Sequence, residues 1–182
     1  AENKSDFSQG SISKTILKLA APLTVAQFVN VLYNVVDRMY IGRIPEIGRT
    51  ALTGLGICFP IITLITAFTA LCGQGGAPLF SISRGRGDNE DARRTMGNAF
   101  SLLLIFAFVL TVVFLIIKRP VLLLFGASTD TLPYANKYLT IYLIGTVFVM
   151  ISVGMNLFIS AQGFGRTAMM TTVLGAVINI LL

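Results

Sequence analysis

The sequence predicts an all-α membrane protein, a polytopic bundle of about five helices that cross a bilayer. Three observations carry this reading. Apolar residues make up 54% of the chain and charged residues only 12%, with a mean hydropathy of +0.80; a soluble domain has about 25% charged residues. The charges are also gathered into short segments, so that 50–83, 95–117, 138–165 and 167–182 contain no Asp, Glu, Lys or Arg. Finally, these windows neither alternate in polarity as barrel strands do nor show the polar face of a soluble core helix.

The first helix is expected over 12–42, with Ser11 or Ser13 as its N-cap. Pro22 lies inside it, where a missing N–H and a ring clash favour a bend. Asn30, Tyr33, Asn34 and Asp37 follow at spacings that place them on one helical stripe. A polar stripe on a spanning helix faces protein or water. Asp37 is the one carboxylate inside an apolar span, and such a group costs about 2.5–3.5 kcal/mol at a helix centre on insertion scales. Arg38 is rotated from it by about 100°, so it can reach the interface without neutralising the acid.

The second helix is expected over 51–83. At about 1.5 Å per residue its charge-free window exceeds the hydrocarbon core, so it must tilt, bend or project. Pro60, Pro78 and the Gly73, Gly75, Gly76 cluster suit a bent or closely packed helix. The glycines are not a phosphate cradle, because no Lys-Ser/Thr follows them. The charged run Arg84–Arg94 is a loop, with Asp88 or Asn89 capping the third helix over 92–125, and acids in its first turn favoured by the helix dipole. Ser128, Thr129 or Asp130 caps the fourth, over 131–162, with Pro133 tolerated in its first turn. Asn156 and Gln162 can bridge helices. The fifth helix is expected over 167–182.

Composition removes several function classes. The net charge of +6 is spread over loops between spans, which suits orientation and lipid headgroups better than nucleic acid. Cys58 and Cys72 fall in one apolar helix and read as packing residues. There is no histidine, which removes the usual proton shuttle, metal ligand and catalytic base. With no metal cluster or paired acids in the spans, the chain is not expected to be an enzyme, and no cofactor is implied. Residues 1–10 read as a polar cytoplasmic tail without the apolar region of a cleaved signal. Placing that tail inside puts eight Lys and Arg on the inner side against six outside, namely Arg38, Arg43, Arg49, Lys118, Arg119 and Lys137. On that side the Asn3 sequon and the Arg86-Gly87-Asp88 tripeptide have no use.

Several segments together resemble a known family. They are A-P-x14-D-x4-G across Ala21, Pro22, Asp37 and Gly42, the exit ISRGRGDNEDARR, and YLTIY at the head of the fourth span. AQGFGRT after that span and GAVINILL at the end complete the set. In order and loop length they are similar to the N-terminal half of multidrug and toxic-compound extrusion (MATE) transporters, two six-helix bundles around a central cavity. The resemblance covers 11–182 and implies an incomplete N-terminal lobe. It implies a cation site of Pro22, Tyr33 and Asp37 on the first helix with Asn179 on the fifth. Asn34, Asn30 and Asn156 are candidate cavity residues.

The function implied is antiport of Na⁺ or H⁺ against organic compounds or drugs across the plasma membrane. One carboxylate in a polar niche suits either ion, with Na⁺ a possible occupant at Asp37. The alternatives are a lipid or polysaccharide-precursor flippase of the same superfamily and a non-transporting assembly subunit. Partners implied are the bilayer, a small organic substrate and a missing C-terminal half or oligomeric partner. Such an incomplete lobe is not expected to transport alone, since alternating access needs two bundles.

Overall fold

The computed structural model describes residues 12–181, and within them five helices and no strand. They are α1 (Ile12–Gly42), α2 (Gly48–Gly85), α3 (Asn89–Leu124), α4 (Leu132–Ala161) and α5 (Gly165–Leu181). The tail at 1–10 and the cap candidate Ser11 lie outside the described residues, and Ser13 falls inside α1 rather than at its cap. α1 runs unbroken through Pro22, and α2 through Pro60 and Pro78. α3 likewise continues past Pro120 to Leu124.

α2 begins three positions before the expected Ala51. The reason is in the turn: Gly48 N–H already donates to Ile44 O at 3.0 Å and Ala51 N–H to Ile47 O at 2.8 Å. Gly48 is buried there, and a Cβ on it would lie 2.6 Å from Gly42 O. Only glycine lets the two helices turn that tightly.

The helix ends satisfy their own backbone groups. Asp88 caps α3, its carboxylate accepting from Asp91 N–H at 2.9 Å, with Glu90 and Asp91 in the first turn. Of the three candidates before α4, Ser128 takes the role. Its carbonyl accepts from Leu132 N–H at 2.9 Å, and its N–H donates to Thr131 Oγ1 at 2.9 Å. Thr131 N–H returns a bond to Ser128 Oγ at 3.3 Å, a reciprocal cap with threonine in the usual place of Glu. At the other ends, Gly87, Gly126 and Gly163 take φ of +81°, +91° and +91°. Each is followed by a residue whose N–H reaches back to the helix: Asp88 to Ser83 O, Ala127 to Leu122 O, Phe164 to Ile159 O. That is the Schellman arrangement, and it requires a left-handed residue which glycine supplies without strain.

The chain divides into two compact units, Arg38–Phe158 and the segments up to Asp37 and from Ile159 onward. The first holds α2, α3 and most of α4. Each helix turns one narrow stripe inward: Cys58, Ile61, Ile65 and Cys72 from α2, Leu103, Ala107, Leu110 and Phe114 from α3, Leu139, Leu143 and Met150 from α4. Steps of three and four residues keep these stripes straight along the helices. Glycine lets the backbones close up. A Cβ on Gly54 would lie 3.1 Å from Ala135 N, and one on Gly154 2.6 Å from Leu103 Cδ1. Among the bonds that tie these helices are Thr111 Oγ1 to Leu143 O at 3.1 Å and Cys58 Sγ to Ala135 O at 3.5 Å.

Outside the stripes the surface is apolar, with Phe108, Ile116, Ile141, Ile144 and Phe148 all exposed. A protein surrounded by water does not keep so continuous an apolar exterior. Three described helices, α2, α3 and α4, are long and apolar enough to cross a membrane. Among the described residues α1 spans 31 residues and α5 spans 17.

Candidate functional site

α1 carries the polar stripe as the spacing predicts. Asn34 Nδ2 donates to Asn30 O at 2.8 Å and to Asn30 Oδ1 at 2.9 Å, so the two amides form one rung along the helix. Those bonds engage the Asn34 amide nitrogen and the Asn30 oxygens. Asn30 and Tyr33 are half-buried, whereas Asn34 and Asp37 are exposed. No described residue forms a hydrogen bond or ion pair with the Asp37 carboxylate. Arg38 has its charge engaged elsewhere: its guanidinium lies 5.1 Å from the centre of the Phe59 ring.

The two sides of α1 differ. Phe28, Val31, Leu32, Val35 and Met39 are exposed and wholly apolar, and at about 100° per residue they lie opposite the polar stripe. Pro22 is half-buried and Ala26 buried, adjoining Tyr33 on the protein side. Thr24 Oγ1 donates to Ala20 O at 3.0 Å, so in the turn around Pro22 one hydroxyl competes with the backbone ladder. Such back-bonding and an interior proline both loosen a helix.

Asn179 belongs to α5, and α5 falls in the same compact unit as α1 up to Asp37. Its side chain lies outside the described residues. The unit therefore unites the helices that bear Pro22, Tyr33, Asp37 and Asn179. Asn156 belongs to the other unit, half-buried and engaged with a partner. Among the described residues no three His, Cys, Asp or Glu side chains gather as a metal cluster. The oxygens that could meet a small cation are those of Asp37, Asn34 and Tyr33. A carboxylate and neutral oxygens are hard donors, suited to Na⁺ or a proton and not to soft metals.

Sequence reasoning missed a second stripe. Along α2, Thr53, Gly56, Pro60, Thr63, Ala67, Gln74, Pro78 and Ser81 are all exposed, and helical geometry puts them on one side. Leu71, between Ala67 and Gln74 at the same spacing, is the one large apolar residue among them, whereas Phe59, Leu64 and Leu79 are exposed elsewhere on the helix. A lipid-facing surface would be filled by such large side chains. The signal that could have found the stripe is the recurrence of small or polar residues every three or four positions. Gly73 and Gly76 are not part of it. A Cβ there would meet Leu157 Cδ1 at 2.9 Å and Phe158 Cζ at 2.7 Å, so both glycines serve packing, as expected.

The family model for MatE matches residues 22–182. The chain is 25% identical over 97% of its length to the multidrug export protein MepA of Staphylococcus haemolyticus. It is 28% identical over 92% of its length to a probable multidrug resistance protein NorM of Pseudomonas putida. It spans 38% and 36% of those two relatives. Among solved structures, MATE in the straight conformation superposes with a TM-score of 0.90 at 24% identity, covering 100% of this chain and 40% of that one.

Proposed function

Since the chain belongs to the MatE family, we propose that it acts as the N-terminal lobe of a membrane transporter that exports organic compounds in exchange for Na⁺ or H⁺. One observation supports this most: an exposed carboxylate, Asp37, on a helix whose opposite side is continuously apolar. Such a carboxylate is too costly to leave against lipid, so its side of α1 borders water or a second bundle. A cavity between two bundles meets that need, and the small and polar stripe on α2 is a further surface of the kind that lines one.

In the reading proposed, a cation bound at Asp37 neutralises the carboxylate, helped by the Asn34 oxygen. Neutralisation removes the cost of carrying a bare charge into a closed, dry lobe. The turn around Pro22, already short of one backbone bond, is where α1 changes shape in response. The ion thereby favours one facing of the cavity, and substrate favours the other. Asn179 supplies a further oxygen from α5. The rest of the transporter, a sixth helix and a second bundle, comes from the part of the relatives that this chain does not span. The N-terminus lies in the cytoplasm, the host membrane is the plasma membrane, and the protein is a transporter and not an enzyme.

Reconstitution of a full-length transporter carrying this lobe tests the reading. Asp37→Asn should insert and fold but lose cation-coupled efflux, while Asp37→Glu should keep partial activity with altered Na⁺ or pH dependence. Normal cation dependence in the Asn variant would reduce Asp37 to a structural residue.

A further inference from the structure

The α3–α4 seam carries a cluster of cations that the transport reading leaves unused. Lys118 ends the charge-free run of α3 and is half-buried. Its ammonium donates to Thr140 Oγ1 on α4, and that hydroxyl in turn donates to Asn136 O at 2.6 Å. This bond fixes the charge in the seam but does not neutralise it. No carboxylate of a described residue pairs with Lys118, so two of its three donors remain for another acceptor. A half-buried ammonium without a counter-ion is costly, and the cost is relieved when an anion docks.

The neighbours make an anion site more specific. Arg119 follows Lys118 on α3, and Lys137 lies three residues before Thr140 on α4; both are exposed. α3 and α4 are joined by a short turn and run antiparallel. At about 100° per residue, Arg119 and Lys137 then flank the same side of the seam. That is the side away from the core stripe of Leu110, Phe114, Leu139 and Leu143. Three positive charges therefore converge at one end of a lipid-facing groove.

Below them the groove turns greasy. On α3, Val112 and Phe108 continue the Arg119 side, and on α4, Ile144 and Phe148 continue the Lys137 side, all exposed. From Lys118 to Phe108 the helix rises about 15 Å, the scale of an acyl chain within one leaflet.

We propose that this seam binds one anionic phospholipid, its phosphate on Lys118, Arg119 and Lys137 and an acyl chain along Val112 and Ile144. The occupant follows from charge and shape together. A free phosphate answers only the cations, and a zwitterionic lipid offsets its own phosphate.

Native mass spectrometry of the purified protein, titrated separately with phosphatidylglycerol, phosphatidylcholine and inorganic phosphate, tests the assignment. Phosphatidylglycerol should be retained in preference to the other two. Each basic residue near a membrane anion contributes about fivefold, so K118Q/R119Q/K137Q should weaken phosphatidylglycerol by roughly 100-fold. A charge-matched variant around the α2–α3 turn and the first turns of α3, R86Q/R93Q/R94Q, should keep the tight binding. Equal loss in both variants would show that net charge alone is read, and would overturn the site. Equal retention of phosphatidylcholine, or competition by inorganic phosphate at the same concentration, would overturn the anionic-lipid assignment. Should the triple variant fail to fold, the exposed single variants R119Q and K137Q should each cost about fivefold, and no change in either refutes the proposal.

Discussion

Gly154→Ala tests how closely α3 and α4 are fitted. The added methyl would sit 2.6 Å from Leu103 Cδ1 and 3.0 Å from Cδ2. Leu103 is fully buried, so it cannot swing away into open space. Overpacking of this kind costs about 1–3 kcal/mol. Replacing a helical glycine by alanine returns about 1 kcal/mol, which leaves a net loss of up to about 2 kcal/mol. Leu103→Ala alone opens a cavity at the same place and should cost about 2–5 kcal/mol. In the double variant the new methyl occupies part of that cavity and meets no strain. The loss should then fall short of the sum of the single losses by about 1–3 kcal/mol. Reversible unfolding of all four proteins in mixed micelles measures the cycle. Additivity within about 0.5 kcal/mol would mean that the two residues do not share space, and the close approach at Gly154 would be refuted.

Further outcomes follow from the same geometry. Asp88→Ala should cost about 0.5–2 kcal/mol of stability through the lost cap on α3, read as a lower midpoint in the same unfolding assay. An unchanged midpoint would show that the bond to Asp91 N–H contributes nothing. Thr63→Val with Gln74→Leu should change the range of compounds exported by a full-length transporter without lowering its amount in the membrane. An unchanged range would remove the α2 stripe from the cavity. With Cys58 and Cys72 replaced, R86C should react with impermeant thiol reagents from the cytoplasmic side only, and labelling from outside would reverse the proposed orientation.

What the sequence disclosed depends on how local the cause is. The α1 stripe was legible because Asn30, Tyr33, Asn34 and Asp37 need only a helical period to share a side. Asp88 and Ser128 were among the expected caps because a short polar side chain before an apolar run acts on its own helix. The start of α2 was misplaced because Gly48 is dictated by the close passage of Gly42, which no local pattern shows. α3 continues through Pro120 to Leu124, within the expected 92–125. The α2 stripe escaped because Thr, Gly, Pro and Ala differ little from their apolar neighbours in hydropathy. They stand out only once the core has claimed Cys58, Ile61, Ile65 and Cys72 on the other side. The bond from Lys118 to Thr140 joins residues on different helices, and spacing along one helix cannot reveal it.

The polar stripe of α1 also bears on how the protein is made. α2, α3 and α4 can each partition into the bilayer on their own apolarity. α1, first in the chain, carries Asn30, Asn34 and Asp37 and has an unfavourable term at each. The helix with the strongest claim to ion coupling thus carries a local insertion cost at each of these residues, one that later helices offset once they shelter the amides and the carboxylate. A carboxylate placed to sense an ion therefore ties the topogenesis of the first helix to segments synthesised after it.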